Sequence, residues 1–267
     1  MKSMLIITTA NDLSLPLFLT DDIKQKIGID TCFFHEETSC VEKKMLSQNY
    51  DYIYFRDPFN CPYDEENIKE KFSVGMKNKK ESYIVDNLKD LDDVYFEDKW
   101  KQYQLFREFM PSTKILSRSD EINDSCIVKK RISSRAKGII FDSRDLAGEN
   151  LSDYIFQEKF IVDKEYRVYV IGGDIVQTAS VKSSKTPNTK VKVLAVEKLV
   201  LDVENFVKTI VQKIPQLDFV GLYIIRSDNN LYLLEVNRSC LFNAYFKITG
   251  VNLAEYFIDK LSTRNTD

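Results

Sequence analysis

Two apolar runs near the end of the chain constrain its fold more than any other feature. Residues 219–226 (FVGLYIIR) and 231–237 (LYLLEVN) have the composition of strands, and the polar residues 227–230 (SDNN) between them are typical of a turn. The pattern predicts an antiparallel hairpin within a sheet. In the simplest register of that hairpin, Tyr223 lies nearly opposite Leu234.

The second strand of this hairpin ends in a carboxylate and an amide. Successive strand side chains point to opposite faces, so Glu235 and Asn237 are expected to share one face, together with Leu233. Two oxygen ligands on one face suit a hard cation such as Mg²⁺, which takes its other ligands from water and phosphate. The alternative is a strand that simply ends in a turn, with Glu235 paired to Arg238 or to a lysine.

Composition narrows the class of protein. With 43% hydrophobic and 30% charged residues in 267, the chain has the composition of an ordinary globular protein, and its net charge of −3 argues against a nucleic-acid partner. No apolar run has membrane-spanning length, which argues against a membrane partner. Five scattered cysteines without metal-ligand spacing indicate reduced thiols and a cytoplasmic location. The single histidine, His35, argues against a serine–histidine triad or a multi-histidine zinc site.

The first third of the chain alternates apolar strands with polar helical stretches. This rhythm predicts a small α/β domain with a largely parallel sheet, with strands over 4–10, 31–35 and 50–59 and helices over 20–27, 41–48 and 64–77. Arg56 and Asp57 lie where the third strand ends, which is a usual place for ligand contacts in such sheets. An ion pair between the two is the alternative.

The remainder is richer in strands. Residues 126–131 and 138–143 are expected to flank a basic loop, and residues 165–182 to form a hairpin with a Gly-Gly-Asp turn. Residues 150–161 are expected to run through a helix into a strand, and further strands are expected over 82–87 and in the hairpin over 219–237. Further helices are expected over 98–109, 203–213 and 251–261.

Three segments before the last hairpin have the residue types of a nucleotide site. The basic loop over 129–138 can close over polyphosphate, and Glu158 in 156–161 can lie beside a purine. Glu165 and Arg167 lie two apart on one strand face, where a carboxylate suits ribose hydroxyls and a guanidinium suits phosphate. The alternatives are a solvated basic hairpin, an ordinary edge strand and a cross-strand salt bridge.

These segments, in this order, resemble those of the ATP-grasp superfamily, closest in layout to carboxylate–amine ligases such as the ribosomal-protein glutamate ligases. The matching pieces are DK with MPST after it, IVKK, the lysine-bearing loop, FQEKFI, EYRVYVIGG, FVGLYII, LLEVN and TGVNLAEY. The implied fold is an α/β N-terminal Rossmann-like (pre-ATP-grasp) domain over 1–95, followed by two α+β ATP-grasp subdomains over 96–158 and 159–267.

The resemblance implies that most candidate residues hold ATP. Those implied to contact its phosphates are Lys99, Lys129 and, in the lid loop 133–138, Ser134, Lys137 and Gly138. Those implied to hold its adenosine are Glu158, Lys159, Phe160 and Ile161 around the adenine and Glu165 on the ribose.

The resemblance implies the remaining roles and also has three departures. Arg167 would stabilise the transferring phosphoryl group, Lys182 would lie near the acceptor, and Glu235 and Asn237 would hold Mg²⁺. The lid loop has few glycines, and the segment after residue 182 lacks the arginine and paired glycines usual near the acceptor. Tyr223 stands where the family pattern has a metal-binding aspartate.

The activity implied is ATP-dependent ligation of a carboxylate to an amine through an acyl phosphate. The acceptors open to it are a peptide or protein tail, an amino acid or a small metabolite. The alternatives are a degenerate module that binds nucleotide or a partner without ligation, and a small-molecule kinase on the same fold. The sequence leaves homo-oligomerisation open.

Overall fold

The computed structural model contains one parallel and two antiparallel sheets with helices packed around them. The residues it describes are 1–58, 65–77, 82–90, 93, 95–117, 125–133, 138–140, 143–183 and 193–263. Within those ranges, no helix has both the length and the apolar character needed to cross a membrane.

The N-terminal sheet is parallel, as the alternation of strands and helices predicts. Its strands, in the order β2-β1-β3-β4, are β1 (Ser3–Thr8), β2 (Gly28–Phe33), β3 (Tyr52–Phe55) and β4 (Tyr83–Ile84). Side chains of β1 alternate between two cores, with Met4 and Ile6 in one and Leu5 and Ile7 in the other. The helices of this part are α1 (Leu15–Phe18), α2 (Asp21–Lys26), α3 (Thr38–Ser47) and α4 (Glu65–Lys77).

The middle of the chain forms a small antiparallel sheet preceded by a helix. Asp98 caps α5 (Lys99–Phe106) by accepting a hydrogen bond from the backbone N–H of Trp100 at 2.9 Å. The strands, in the order β5-β8-β6-β7, are β5 (Thr113–Ile115), β6 (Cys126–Lys130), β7 (Ile139–Ile140) and β8 (Tyr154–Glu158). A core of Leu116, Val128, Leu146 and Tyr154 holds this unit together.

The C-terminal sheet is antiparallel and has the order β12-β11-β9-β13-β14, with β10 paired to β9. Gly172 and Gly173, at φ +57° and +85°, form the predicted turn between β9 and β10. The strands are β9 (Lys164–Ile171), β10 (Asp174–Ile175), β11 (Thr178–Ser183), β12 (Val193–Lys198), β13 (Phe219–Ser227) and β14 (Asn230–Asn237).

The two faces of this sheet belong to different cores. Val203 and Val207 of α6 (Leu201–Val211) share one core with Leu222 of β13. On the other face, Phe219 shares a core with Phe257 of the C-terminal helix and with the N-terminal sheet, so the first and third sheets are packed together. The two helices that follow β14 are α7 (Asn243–Thr249) and α8 (Leu253–Thr263).

Among the α-helices and strands of the described ranges, four have no counterpart in the sequence prediction, namely α1, α7, β5 and β12. The first three have seven residues or fewer, too short to establish a period, and Gly250 at φ +72° stops α7 after two turns. The helix predicted over 98–109 ends at Phe106, and the one expected before β8 is a single 3₁₀ turn over Leu151–Asp153.

Candidate active site

A β-bulge in the last hairpin decides which side chains meet. Near the turn β13 and β14 pair in the predicted register, as far as Ile224 opposite Leu233. Leu234 is then passed over, and Tyr223 pairs directly with Glu235. The prediction that Tyr223 faces Leu234 is therefore wrong by one residue.

The bulge also changes which side chains of β14 lie on each face of the sheet. Leu233 and Val236 both belong to the core against α6, because the bulge reverses the alternation between them. Glu235 and Asn237 lie on the other face, with both side chains partly accessible to solvent. The prediction that these two share a face is confirmed, and the prediction that Leu233 joins them is wrong.

Three side chains form a row across the C-terminal sheet on this same face. Arg167 of β9 lies opposite Tyr223 of β13, which lies opposite Glu235 of β14. The guanidinium carbon of Arg167 is 4.1 Å from the centre of the Tyr223 ring, so the cation stacks on the phenol. The remainder of the site is arranged around this active-site row.

Lys99 places a cation beside Glu235. Its Nζ lies 3.8 Å from Glu235 Oε1, with 12% of the lysine and 26% of the glutamate side chain exposed. The same Nζ donates hydrogen bonds to the carbonyl and the hydroxyl of Ser133, at 2.8 and 3.1 Å. Lys99 therefore links the first residues of the basic loop to the carboxylate at the end of β14.

Lys129 lies on β6 of the middle sheet and has an altered pKa. Its Nζ donates to Gln157 Oε1 at 2.7 Å. Burial is the main cause that lowers the pKa of Lys129 to about 8; the charges of Glu235 and Glu165 oppose this shift, and that of Lys99 contributes to it. These four ionisable side chains consequently share one electrostatic environment.

The basic loop between β6 and β7 is described only at its two ends. The backbone N–H of Lys130 donates to the carbonyl of Gly138 at 2.8 Å. Gly138 has φ +75°, and a Cβ there would lie 2.7 Å from the Cβ of Lys130, so this position requires glycine. Ser134 and Lys137, both predicted to contact ATP, lie outside the described residues.

Residues 158–161 connect the middle sheet to the C-terminal sheet. Glu158 and Lys159 are exposed, and Ile161 is 88% exposed. The ring of Phe160 stacks on that of Tyr232, with centroids 4.3 Å apart and planes inclined by 20°. The stack joins this segment to β14.

Glu165 and Lys182 occupy facing backbone positions beside the row. Glu165 lies two residues before Arg167 on the same face of β9, and Lys182 of β11 is its cross-strand partner. The side chain of Lys182 lies outside the described part of the chain.

A buried ion pair fixes the chain directly after Asn237. Arg238 NH1 lies 3.0 Å from Asp86 Oδ2 and donates to the carbonyl of Phe55 at 2.8 Å. Both members of the pair are inaccessible to solvent. Arg238 is therefore not the partner of Glu235, as one of the sequence alternatives had it. The ion-pair partner of Glu235 is a lysine, as the other alternative had it.

A second buried arginine acts on the same segment. Arg56 is fully buried and pairs with Asp12 at 2.9 Å, so its guanidinium is not presented to a ligand. Arg56 also contacts the carbonyl of Cys240, at 3.4 Å, and the next carbonyl, of Leu241, accepts from Arg167 NH1 at 3.3 Å. The segment after β14 therefore contacts both the residue that follows β3 and Arg167 of the row.

The exposed edge of β14 is completed by a side chain. The amide of Gln102 donates to the carbonyl of Val236 at 2.7 Å and accepts from its N–H at 2.9 Å. Because Val236 lies between Glu235 and Asn237, this bidentate contact fixes the strand at the two candidate metal ligands.

Residues 110–261 match the family model of the RimK-like ATP-grasp domain. The chain belongs to the RimK-like ATP-grasp family. No curated protein gives a significant match to the sequence.

Solved ATP-grasp ligases share the fold of this RimK-like ATP-grasp protein. The ATP-grasp ligase PsnB complexed with a minimal precursor aligns with a TM-score of 0.67 and 14% identity, over 97% of this chain and 100% of that one. Macrocyclase MdnC bound with precursor peptide MdnA, from Microcystis aeruginosa, gives 0.66 and 13%, over 98% and 100%. D-alanine–D-alanine ligase from Bacillus anthracis complexed with ATP gives 0.64 and 12%, over 98% and 94%.

The sequence reasoning missed a partly buried carboxylate beside the candidate metal ligands. Glu97 Oε1 accepts from the backbone N–H of Ser239 at 3.3 Å, two residues after Asn237. Burial raises its pKa, Arg238 opposes that shift, and the charge of Glu235 adds to it. Its position directly before the Asp98–Lys99 pair is the one available signal, because its partners are remote in sequence.

Proposed function

We propose that the chain is an ATP-dependent ligase that joins a carboxylate to an amine. The carrying observation is the active-site row, in which an arginine, an aromatic ring and a carboxylate meet two lysines within an ATP-grasp fold. A substrate carboxylate would attack the γ-phosphate of ATP and release ADP. An amine would then attack the acyl phosphate, lose a proton and displace phosphate.

The lysines and the linking segment would bind the nucleotide. Lys99 and Lys129 would neutralise phosphate oxygens, and the same task is proposed for Ser134, Lys137 and Gly138 of the lid loop. Residues 158–161 would hold the adenine, and Glu165 would accept hydrogen bonds from the ribose. These roles are supported by the shared electrostatic environment of Lys99, Lys129 and Glu165 beside Glu235.

The end of β14 fits a magnesium site of low protein charge. Glu235 and Asn237 offer one carboxylate and one amide on a single face, and within the described ranges no cluster of three or more Asp, Glu, His or Cys side chains could hold a metal. Two protein ligands suffice for Mg²⁺ when phosphates supply others. Bound there, Mg²⁺ would supply positive charge to the phosphates. Arg167 would hold the transferring phosphoryl group.

The three sheets support a division into domains at about residues 95 and 158. The parallel sheet fits a Rossmann-like pre-ATP-grasp domain over 1–95. The antiparallel sheets fit two ATP-grasp subdomains over 96–158 and 159–267, which would grip ATP between them. The cytoplasm is the compartment in which we expect this ATP-dependent reaction.

A peptide is the substrate class that the structural neighbours favour. The structures of PsnB and MdnC are complexes with a minimal precursor and a precursor peptide. D-alanine–D-alanine ligase, which has the same fold, is named for an amino-acid substrate. The acceptor would lie beside Arg167 and Lys182. The second candidate function, nucleotide binding without ligation, is favoured by Tyr223 in the row, because a neutral phenol is a poor ligand for Mg²⁺.

Product analysis with ATP and Mg²⁺ separates these functions. We expect ADP release that requires both a carboxylate and an amine, tested with amino acids and with acidic peptides. A carboxylate labelled with ¹⁸O should transfer one labelled oxygen to the released phosphate, since that oxygen bridges carbon and phosphorus in an acyl phosphate. A stable phosphorylated product would instead show a kinase, and nucleotide binding without ADP for every acceptor would show a binding module.

The acidity of Lys129 predicts a pH dependence of ATP binding. Since its pKa in the nucleotide-free protein is about 8 and phosphate favours the protonated amine, ATP affinity should fall as pH rises through 8. Proton uptake near that pH should appear in calorimetry. Lys129→Ala should weaken binding about tenfold to a hundredfold and remove this pH dependence. Lys130→Ala, on the opposite face of β6, is the control, and equal ATP affinity in Lys129→Ala would exclude Lys129 from the site.

A further inference from the structure

The ring of Tyr223 separates the two oppositely charged members of the active-site row. Arg167, Tyr223 and Glu235 are direct cross-strand neighbours on β9, β13 and β14. With neighbouring strands about 4.8 Å apart, the backbones of Arg167 and Glu235 are roughly 10 Å apart. An extended arginine and a glutamate can bridge that distance, so these two side chains would form an ion pair if the position between them were small.

The contact with Tyr223 also leaves the arginine chemically available. A guanidinium that stacks on a ring uses its flat face, so the stack itself occupies none of its N–H groups. One of these, NH1, donates to the carbonyl of Leu241 at 3.3 Å. Arg167 Nε is buried and has no hydrogen-bond partner within the described residues. The stack therefore orients the cation without neutralising it.

We propose that Tyr223 is a positioning residue that holds Arg167 and Glu235 apart. Its ring keeps the guanidinium for an anionic phosphoryl group and keeps the carboxylate for a divalent cation. This inference rests on the proposed function, because it assigns those two ligands to the two charges. Tyr223 then has a role of its own, beyond the loss of the metal-binding aspartate that the family pattern has at this position.

A double-mutant cycle tests the separation directly. Mn²⁺ binding, in the presence of a non-hydrolysable ATP analogue, is measured by electron paramagnetic resonance for the wild type, Tyr223→Leu, Arg167→Ala and the double variant. Tyr223→Leu should weaken Mn²⁺ binding roughly tenfold, because Arg167 then neutralises Glu235. In the Arg167→Ala background the same substitution should have little effect. An equal loss in both backgrounds, or no loss in either, overturns the proposal.

Two further variants separate positioning from packing. Tyr223→Phe keeps the ring and should keep Mn²⁺ affinity within about twofold of the wild type. Tyr166→Leu removes an aromatic ring on the opposite face of the sheet, where Arg226 lies 5.9 Å from its centre, and should cost stability without changing Mn²⁺ affinity. If Tyr223→Leu does not fold, Tyr223→Met takes its place in the cycle.

A crystal structure of the folded Tyr223 variant gives an independent readout. An Arg167–Glu235 nitrogen–oxygen distance below about 4 Å is expected, and a guanidinium that stays in place overturns the proposal. If Tyr223 and Arg167 are coupled in the cycle but the wild type does not ligate, only the proposed ligase function is excluded. If the wild type ligates but the two residues are not coupled, only the positioning role of Tyr223 is excluded. A wild type that binds no Mn²⁺ in the presence of nucleotide would exclude both the ligase function and the positioning role.

Discussion

Glu235→Gln should lower Mg²⁺-dependent turnover about a hundredfold to a thousandfold while leaving the chain folded. Glutamine has the shape of glutamate but not its charge, and the bulge directs position 235 into the active-site row. The variant loses the carboxylate that would hold the cation and the partner of Lys99 at 3.8 Å. Charge aimed at a reacting phosphoryl group is among the largest contributions to catalysis. ADP release at several Mg²⁺ concentrations measures the effect.

The matched control makes the same substitution elsewhere in the C-terminal sheet. Glu197 of β12 is exposed and pairs with Lys164 on the surface, so Glu197→Gln removes an equivalent charge from the face of the sheet opposite the row. Its turnover should stay close to that of the wild type. Since the Lys99–Glu235 pair is partly exposed, thermal unfolding of Glu235→Gln should also change little. A folded Glu235→Gln enzyme with unchanged turnover and Mg²⁺ dependence would contradict the assignment of the metal site.

The strands of the N-terminal sheet could be predicted because burial on both faces leaves an unbroken apolar run. Met4 to Ile7 is such a run, and its alternate side chains enter two separate cores. Polar helical stretches between such runs predict parallel pairing, as observed for β1, β2 and β3. Here the local pattern and the tertiary structure agree.

The bulge in β14 could not be predicted from the same kind of pattern. Leu233 and Leu234 are adjacent and equally apolar, so period-two alternation does not say which of them enters the core. The choice is made by packing of Leu233 and Val236 against α6, and by Gln102 on the free edge of the strand. One inserted residue then moves Glu235 directly opposite Tyr223.

The partners of buried charges were also beyond sequence reasoning. Arg56 stands next to Asp57, yet it pairs with Asp12 at the end of another strand. Glu97, which is partly buried, accepts a hydrogen bond from the backbone N–H of Ser239, 142 residues further along the chain. Such pairings follow from topology, because the parallel sheet presents its carboxyl ends to the segment after β14, and no local motif encodes them.

Arg238→Met should destabilise the protein by about 3–5 kcal/mol at neutral pH, measured by urea unfolding. Arg238 and Asp86 form an ion pair with no exposure on either side, and methionine removes the cation while filling much of its volume. The carboxylate left behind would be buried without a counter-charge, which is the costly half of breaking such a pair. The surface pair of Lys26 and Asp259, at 2.8 Å and about half exposed, gives the control. Lys26→Met should cost less than about 1 kcal/mol.

The loss in Arg238→Met should depend on pH in a defined direction. Burial already raises the pKa of Asp86 above its ordinary 3.8, against the opposing charge of Arg238. Without the guanidinium the pKa rises further, so the folded variant binds a proton more readily than the unfolded chain does. The deficit should therefore be full above that raised pKa and shrink as pH falls toward 4.

A neutral partner should restore much of the stability lost in Arg238→Met. In the double variant Asp86→Asn with Arg238→Met, the amide oxygen can still accept from the backbone N–H of Asp218, as Asp86 does at 2.9 Å. Asparagine also tolerates the left-handed backbone of this position, at φ +67°. The double variant should thus be more stable than Arg238→Met alone. Equal stability of the two, or a deficit independent of pH, would show that the charge of Asp86 is not what the arginine offsets.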